Sequence, residues 1–355
     1  MPQTILGKVT EYQESHPWKV VLIFGLLTLA MVPGMGRIET VVALENMMPA
    51  DSEPVKEFNE LRAQGLGRDA VAVEIQAGKS DEGIQSVTSP EAKKYIKDLG
   101  SRIQEVYGVS QVYTPLQQPS LVDSDRDTAV LIVYSYMGDD GQKMSRLFSD
   151  VKEEVEINQP EGIETQISGV PAVQQRLARM VERDKNVTTM ISLGLVFLIT
   201  LLLFSGSLTA ALMPLLVVGL SVVWLYGTMG YMGLPLSTLA GSVAALIIGI
   251  GIAYSIHIGN IYRFNRRENT VEEALVDAVD DIGVSIVASA ITTISAFIAF
   301  LVGKMPEMHR FGLTMAIGIS YAVIFTILLL PAVFVLEERI MAKIHSAIRW
   351  RHEFP

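Results

Sequence analysis

VTTMISLGLVFLITLLLF (187–204) and, three residues on, LTAALMPLLVVGLSVVWLYGTM (208–229) contain no charged side chain. A helix rises about 1.5 Å per residue and a bilayer's hydrocarbon core is about 30 Å thick, so some 20 apolar residues span it. Four more runs have this character: Trp18–Val32, extended to about Arg37, then Leu236–Asn260, Ile282–Val302 and Phe311–Leu336. Each is long enough to cross a membrane with some tilt. The chain's composition agrees, with 50% hydrophobic residues, only 19% charged and a mean hydropathy of +0.36; soluble proteins average about 25% charged. The expected fold class is a polytopic α-helical membrane protein with six transmembrane helices.

The first run has Lys8 and Lys19 before or at its start, as a signal peptide would. No small-x-small cleavage site with a polar exit follows, and five spans do, so it reads as an uncleaved first helix. Lysine and arginine in short loops set orientation. With the N-terminus in the cytoplasm, Lys8, Lys19, Arg263, Arg266, Arg267, Arg339, Lys343, Arg349 and Arg351 lie inside, while Lys304 and Arg310 lie in short outer loops. The expectation is a multi-pass protein of the cytoplasmic membrane with both termini inside and residues 38–185 outside.

That outer segment is soluble in character and carries most of the net charge of −10: from Arg37 to Lys185 there are 26 Asp and Glu against 17 Lys and Arg. An acidic domain is a poor match for nucleic acid or for anionic lipid surfaces, which need a basic face. Its pattern is regular. AVAVEIQ (70–76) alternates as a strand, and Pro90–Tyr107 places Ala92, Tyr95, Ile96, Leu99, Ile103 and Val106 on one helical stripe. Val109–Thr114 and TAVLIVYSY (128–136) read as strands, Gln142–Glu156 as a helix with Met144, Leu147, Phe148, Val151 and Val155 on a face, and Ile163–Ser168 as a last strand. The order βαββαβ is that of the ferredoxin-like α+β fold. A further helix is expected over Glu53–Ala63, with Asp51 and Ser52 as caps.

The chain has no cysteine, which excludes disulfides and thiolate chemistry, and its five histidines are scattered, so no metal site is expected. No Walker A, GxSxG or HExxH motif is present, and paired acids such as Asp139–Asp140 or Glu153–Glu154 read as solvated helix ends and faces. Neither an enzyme active site nor a cofactor is expected.

Several segments, in order, resemble the RND (resistance–nodulation–division) superfamily, nearest its MMPL and hopanoid-exporter branch. They are ALENMMPADSEPVKEFNELRAQ (43–64), SGVPAVQQRLARMVERDK (168–185), FSGSLTAALMPLLVV (204–218), GIGIAYSIHIGNIYRF (249–264), SAITTISAFIAFLVGKMPEMHRFGLTMAIGI (289–319) and LLLPAVF (328–334). The resemblance implies this division: residues 1–37, an N-terminal cytoplasmic segment and helix one; 38–185, an extracytoplasmic porter-like domain; 186–338, helices two to six; 339–355, a cytoplasmic tail. It also implies export of hydrophobic or amphipathic molecules, lipids foremost. Full RND transporters hold two such halves, and no second copy occurs here, so a homodimer or a partner half is implied. The family's fourth-helix aspartate, which serves proton coupling, is here Ala253, with Tyr254 retained and Gly206 standing where the second-to-third helix motif usually has arginine.

Within the spans, Gly241, Ala245, Gly249, Ala253 and His257 recur every four residues, a small-residue stripe suited to close helix packing. Its partner is either a helix of the same chain or the equivalent helix of a second copy. His257, the one histidine within a span, is a proton-exchange candidate or an interfacial hydrogen-bonding group. Tyr254, Thr292 and Thr293 are further relay candidates by resemblance, although such hydroxyls commonly bond their own helix. Arg263–Asp281, with Ala274, Leu275, Ala278 and Ile282 at helical spacing, reads as an amphipathic helix on the cytoplasmic surface. Two alternatives to export stay open: a non-pumping lipid sensor or assembly factor, which Ala253 favours, and a translocation auxiliary like the SecD/SecF members of the superfamily.

Overall fold

The computed structural model describes residues 4–38, 40, 49, 52, 53, 56, 57, 60, 70–78, 83–135, 141–204, 207–237 and 239–353. Most of the expected Glu53–Ala63 helix, its Asp51 cap, Gly206 and the Asp139–Asp140 pair lie outside these residues. The chain forms two compact units, Val42–Met180 and the combination of Met1–Val41 with Val181–Pro355.

The smaller unit holds β1 Ala70–Ala77, α3 Pro90–Glu105, β2 Val109–Tyr113, β3 Thr128–Ser135, α4 Gly141–Glu156 and β4 Ile163–Gly169. The sheet order is β2-β3-β1-β4, with every neighbouring pair antiparallel. This is the ferredoxin-like arrangement that the βαββαβ order implies. Period-two alternation does the sorting: Val71, Val73 and Ile75 of β1 and Ala129, Leu131 and Val133 of β3 are fully buried. Helix α3 starts where the Ser89 hydroxyl accepts from the Ala92 N–H, and it buries Ala92, Tyr95, Ile96, Leu99 and Ile103 against the sheet core. Leu147, Phe148, Val151 and Val155 of α4 complete that core.

The larger unit is helical: α1 Ile5–Ser15, α2 Pro17–Met35, α5 Val170–Leu203, α6 Leu208–Met232, α7 Val243–Asn265, α8 Val271–Ile298, α9 Pro306–Leu328 and α10 Leu330–Glu353. Of these, α5 begins within the smaller unit. Among the described residues, six helices are long and apolar enough to cross a membrane. Helices α7 and α9 are central, each burying 56% of its most apolar window, against 6% for α2 and α5 and 11% for α8.

Two segments differ from the expected elements. The run Phe311–Leu336 is not one helix: α9 ends at Leu328, and α10 runs from Leu330 to Glu353. Pro331 explains the break, since it has no N–H to give the Ile327 carbonyl and disfavours helical backbone in the residue before it. Gln13 of α1 supplies the substitute donor, its Nε2 reaching the Ile327 carbonyl at 3.5 Å. Second, the Arg263–Asp281 stretch is not a separate surface helix. Thr270 and Glu273 form a capping box, and α8 then runs unbroken from Val271 into the fifth span. The stripe Ala274, Leu275 and Ala278 is fully buried.

Glycine brings α2 and α6 into backbone contact. A Cβ on Gly227 would sit 2.6 Å from the Met31 carbonyl oxygen, and one on Gly230 would collide with the Gly34 carbonyl. Trp224 Nε1 donates to Thr28 Oγ1 at 2.8 Å beside this crossing, and Phe24, Trp224 and Phe325 pack ring on ring. Small residues at such crossings replace the hydrophobic drive that lipid cannot supply. Gly230→Ala should therefore lower the melting temperature of the detergent-solubilised protein, at a cost of about 1–3 kcal/mol. Gly219→Ala, where no atom lies within 4 Å of the added carbon, should change it little. Equal melting of the two variants would contradict the close crossing.

Candidate functional site

Helix α7 has two unlike faces. One face, including Ile247, Ile248, Gly251, Ile252, Ser255 and Ile258, is buried. A Cβ on Gly251 would stand 3.0 Å from the Ala322 Cβ and 3.2 Å from Val218 Cγ1, so α7 lies tight against α9 and α6. Ser255 and Thr326 join hydroxyls at 2.9 Å inside this contact. The other face is open: Leu246, Gly249, Ala253, His257 and Asn260 are exposed.

The small-residue stripe therefore changes surroundings along its length. Gly241 is buried in a short 3-10 turn ahead of α7, where a Cβ would meet Val181 Cγ1 at 3.3 Å. Ala245 is half-buried, while Gly249 has open space and Ala253 and His257 are exposed. Tyr254 points to the buried side, 7% exposed. Ala253 and His257 thus share one face, one turn apart, and Tyr254 does not join them. Thr292 and Thr293 lie on the neighbouring α8, and both hydroxyls donate to the Ser289 carbonyl, at 2.7 and 3.0 Å. Ser295 likewise bonds the Ile291 carbonyl at 2.7 Å. Among the described residues, no group of three or more histidines and acids gathers in a metal-binding arrangement.

Sequence reading missed a polar network at the C-terminal end of α7. Tyr262 donates to Glu338 Oε1 at 2.5 Å, and Arg266 forks onto the same carboxylate through Nε at 3.1 Å and Nη2 at 3.0 Å. Tyr262 stacks on Phe334, and the Arg263 guanidinium lies 5.2 Å from the Phe204 ring centre. These groups line a cavity of about 240 Å³ together with Ser207 and Glu337. Burial pushes the Glu337 carboxyl up from its ordinary value, against a hydrogen bond from Thr209 and the Arg263 charge. Burial pulls Glu338 the same way, but hydrogen bonds from Arg266 and Tyr262 and the Arg266 charge outweigh it and hold that carboxyl below its ordinary value. The only sequence signal was the acid pair Glu337–Glu338 directly after an apolar run, since Arg266 lies 72 positions from its partner.

Six apolar helices and a ferredoxin-like domain with a four-stranded antiparallel sheet define a polytopic membrane protein. The MMPL family model matches residues 46–353, and the chain belongs to the MMPL family. A membrane protein of Methanocaldococcus jannaschii is 28% identical over 371 residues, covering 96% of this chain and 95% of that one. Membrane protein YdfJ of Bacillus subtilis is 25% identical over 89% of this chain and 42% of its own length. Sulfolipid-1 exporter MmpL8 of Mycobacterium tuberculosis is 23% identical over 91% of this chain and 30% of its own. The chain thus spans less than half the length of the two latter relatives.

The Glu338 network carries a pH dependence. A carboxylate held below its ordinary value of 4.5 stabilises the fold fully above that value, and this contribution is lost as pH falls through the lowered one. Wild-type protein should melt above Glu338→Gln at neutral pH, and the gap should close on acidification below about 4.5. A gap that is constant with pH would rule out this role for the carboxylate.

Proposed function

We propose that this chain is half of a lipid exporter, moving hydrophobic or amphipathic molecules across or out of the cytoplasmic membrane as a homodimer equivalent to a twelve-helix RND protein. The observation that carries the reading is the open face of α7. Gly249, Ala253 and His257 lie on a face that the described helices leave uncovered, and small residues such as Gly249 and Ala253 admit a second backbone closely. The name of one relative, a sulfolipid-1 exporter, supports a lipid as cargo. The roughly twofold or greater length of the relatives YdfJ and MmpL8 supports two six-helix halves working together.

In this reading residues 38–185 form the outer, porter-like domain, residues 186–338 carry helices two to six, and both termini face the cytoplasm, with nine lysines and arginines in the inner segments against two in the short outer loops. Ala253 has no proton to exchange, so the face that bears the family's aspartate serves as a packing surface. His257, one turn further on, is the remaining titratable group on that face, with Tyr254 turned inward and Thr292 and Thr293 bonded to their own helix. The same alanine favours a second reading, a lipid sensor or assembly factor that does not pump.

Because the chain has no cysteine, Ala253→Cys reports on one position alone. In native membranes it should form an inter-subunit disulfide on mild oxidation, whereas Leu22→Cys, exposed on α2, should not. Cross-linking at position 22 but not at 253 would place the partner elsewhere and sink the α7 reading. Lipid release from proteoliposomes separates the two functions: a pump moves lipid against its gradient, and a sensor does not.

A further inference from the structure

Helix α1 ends in a group of buried polar atoms that the transport reading does not use. Glu14 is 5% exposed and Gln13 3% exposed, although both are polar and lie one turn or less from the α1–α2 corner at His16. Glu14 Oε1, Gln13 Oε1 and His16 Nδ1 are buried without a hydrogen-bond partner among the described residues. Three unsatisfied atoms in four consecutive residues are unusual, since buried polar atoms are nearly always paired.

The charges around Glu14 make its anionic form hard to hold. From α8 it faces Glu272 and Asp277, from its own helix Glu11, and from α10 Arg339. Among the described residues, the cation acting on it is Arg339, which is engaged elsewhere: its Nη2 donates to the Glu14 backbone carbonyl at 3.2 Å and pairs with Glu272 Oε1 at 3.5 Å. On α9 the Ile327 carbonyl accepts from the neighbouring Gln13 amide. At the other end of α1 the Thr4 N–H and hydroxyl both bond Asp280 of α8. An ionised Glu14 would be a buried charge with three acids around it and no cation on its oxygens, whereas a neutral carboxyl loses far less on burial.

We propose that Glu14 is a proton-binding site that governs the seating of α1: with the proton bound, α1 docks on α8 and α10, and loss of the proton to solvent leaves a carboxylate that loosens it. The ligand is a proton taken from water by one carboxylate oxygen, and nothing else is exchanged. Burial first, then Glu272 and Glu11, push this carboxyl up to about 8, against the opposing pull of Arg339. The sign follows from linkage. An undocked Glu14 ionises near the ordinary 4.5 and the docked one near 8, so docking weakens progressively as pH rises between these values. Docking thus binds a proton and undocking releases one. The site is independent of what the protein carries, so it stands or falls apart from the export reading.

Two measurements on the full chain in lipid nanodiscs test it. Infrared difference spectra across a pH titration should show a protonated-carboxyl C=O band at neutral pH that disappears with a midpoint near 8 and is absent in Glu14→Gln. Absence of the band at neutral pH, or its persistence in Glu14→Gln, overturns the assignment. For the seating of α1, a single cysteine at buried Thr10 is alkylated in parallel with one at exposed Tyr12, which corrects for the chemistry of the thiol itself. The ratio of the two rates should rise with pH, by at most about tenfold per pH unit, and level off above about 8. With Glu14→Gln, a neutral side chain of similar size, it should be flat. A ratio that rises equally in Glu14→Gln, or is flat in both, overturns the coupling of the proton to α1.

Discussion

Hydrocarbon offers no water to a polar group, and that constraint organises the helical unit. Backbone groups satisfy themselves by forming helices, and side-chain hydroxyls follow by bonding within the protein. Thr28, Thr200, Thr314 and Ser320 donate to carbonyls of their own helices. Several polar groups reach across helices in side-chain pairs: Trp224 with Thr28, Thr228 with Tyr321 at 2.8 Å, and Ser255 with Thr326. Pro331 breaks the helical ladder, and there a side chain from another helix, Gln13, comes to the freed carbonyl. Apolar burial cannot hold the helices together, since lipid is as apolar as leucine, so close contact at Gly227 and Gly230 takes over that task.

The same logic separates the faces of α7. Its buried face is fitted to α6 and α9 through Gly251 and the Ser255–Thr326 bond. Its other face has small residues and no such fitting. At the helix end, Tyr262, Arg266 and Glu338 tie α7 to α10 with a fully engaged carboxylate. A rigid attachment on one side, with an uncovered close-packing surface on the other, is the property from which the dimer reading follows.

Much of this was legible in the sequence for simple reasons. A span needs about 20 apolar residues, so the six runs stood out by length. Period-two alternation in 70–76 and 128–136 and the stripe in 90–107 fixed the strands and a helix of the smaller unit, because only one assignment of faces buries Val71, Leu131 and Leu99 together. Element boundaries were less legible. Hydropathy runs straight across Pro331, and the acids of 272–281 obscure the fact that the Thr270–Glu273 cap starts a helix continuous with the fifth span. The candidate site was legible as a face but not by its surroundings. A repeat of four defines which residues align, as it did for Gly241 to His257, yet says nothing of what covers them. The surroundings of Glu14 and Glu338 were not legible, because they come from residues hundreds or tens of positions away, Arg339 and Arg266.

Native mass spectrometry of the protein released gently from its membrane measures the central claim most directly, since one spectrum reads subunit number and retained lipid together. Two chains carrying a defined lipid is the result this account predicts. A monomer without lipid would contradict it and leave the open face of α7 to a different partner.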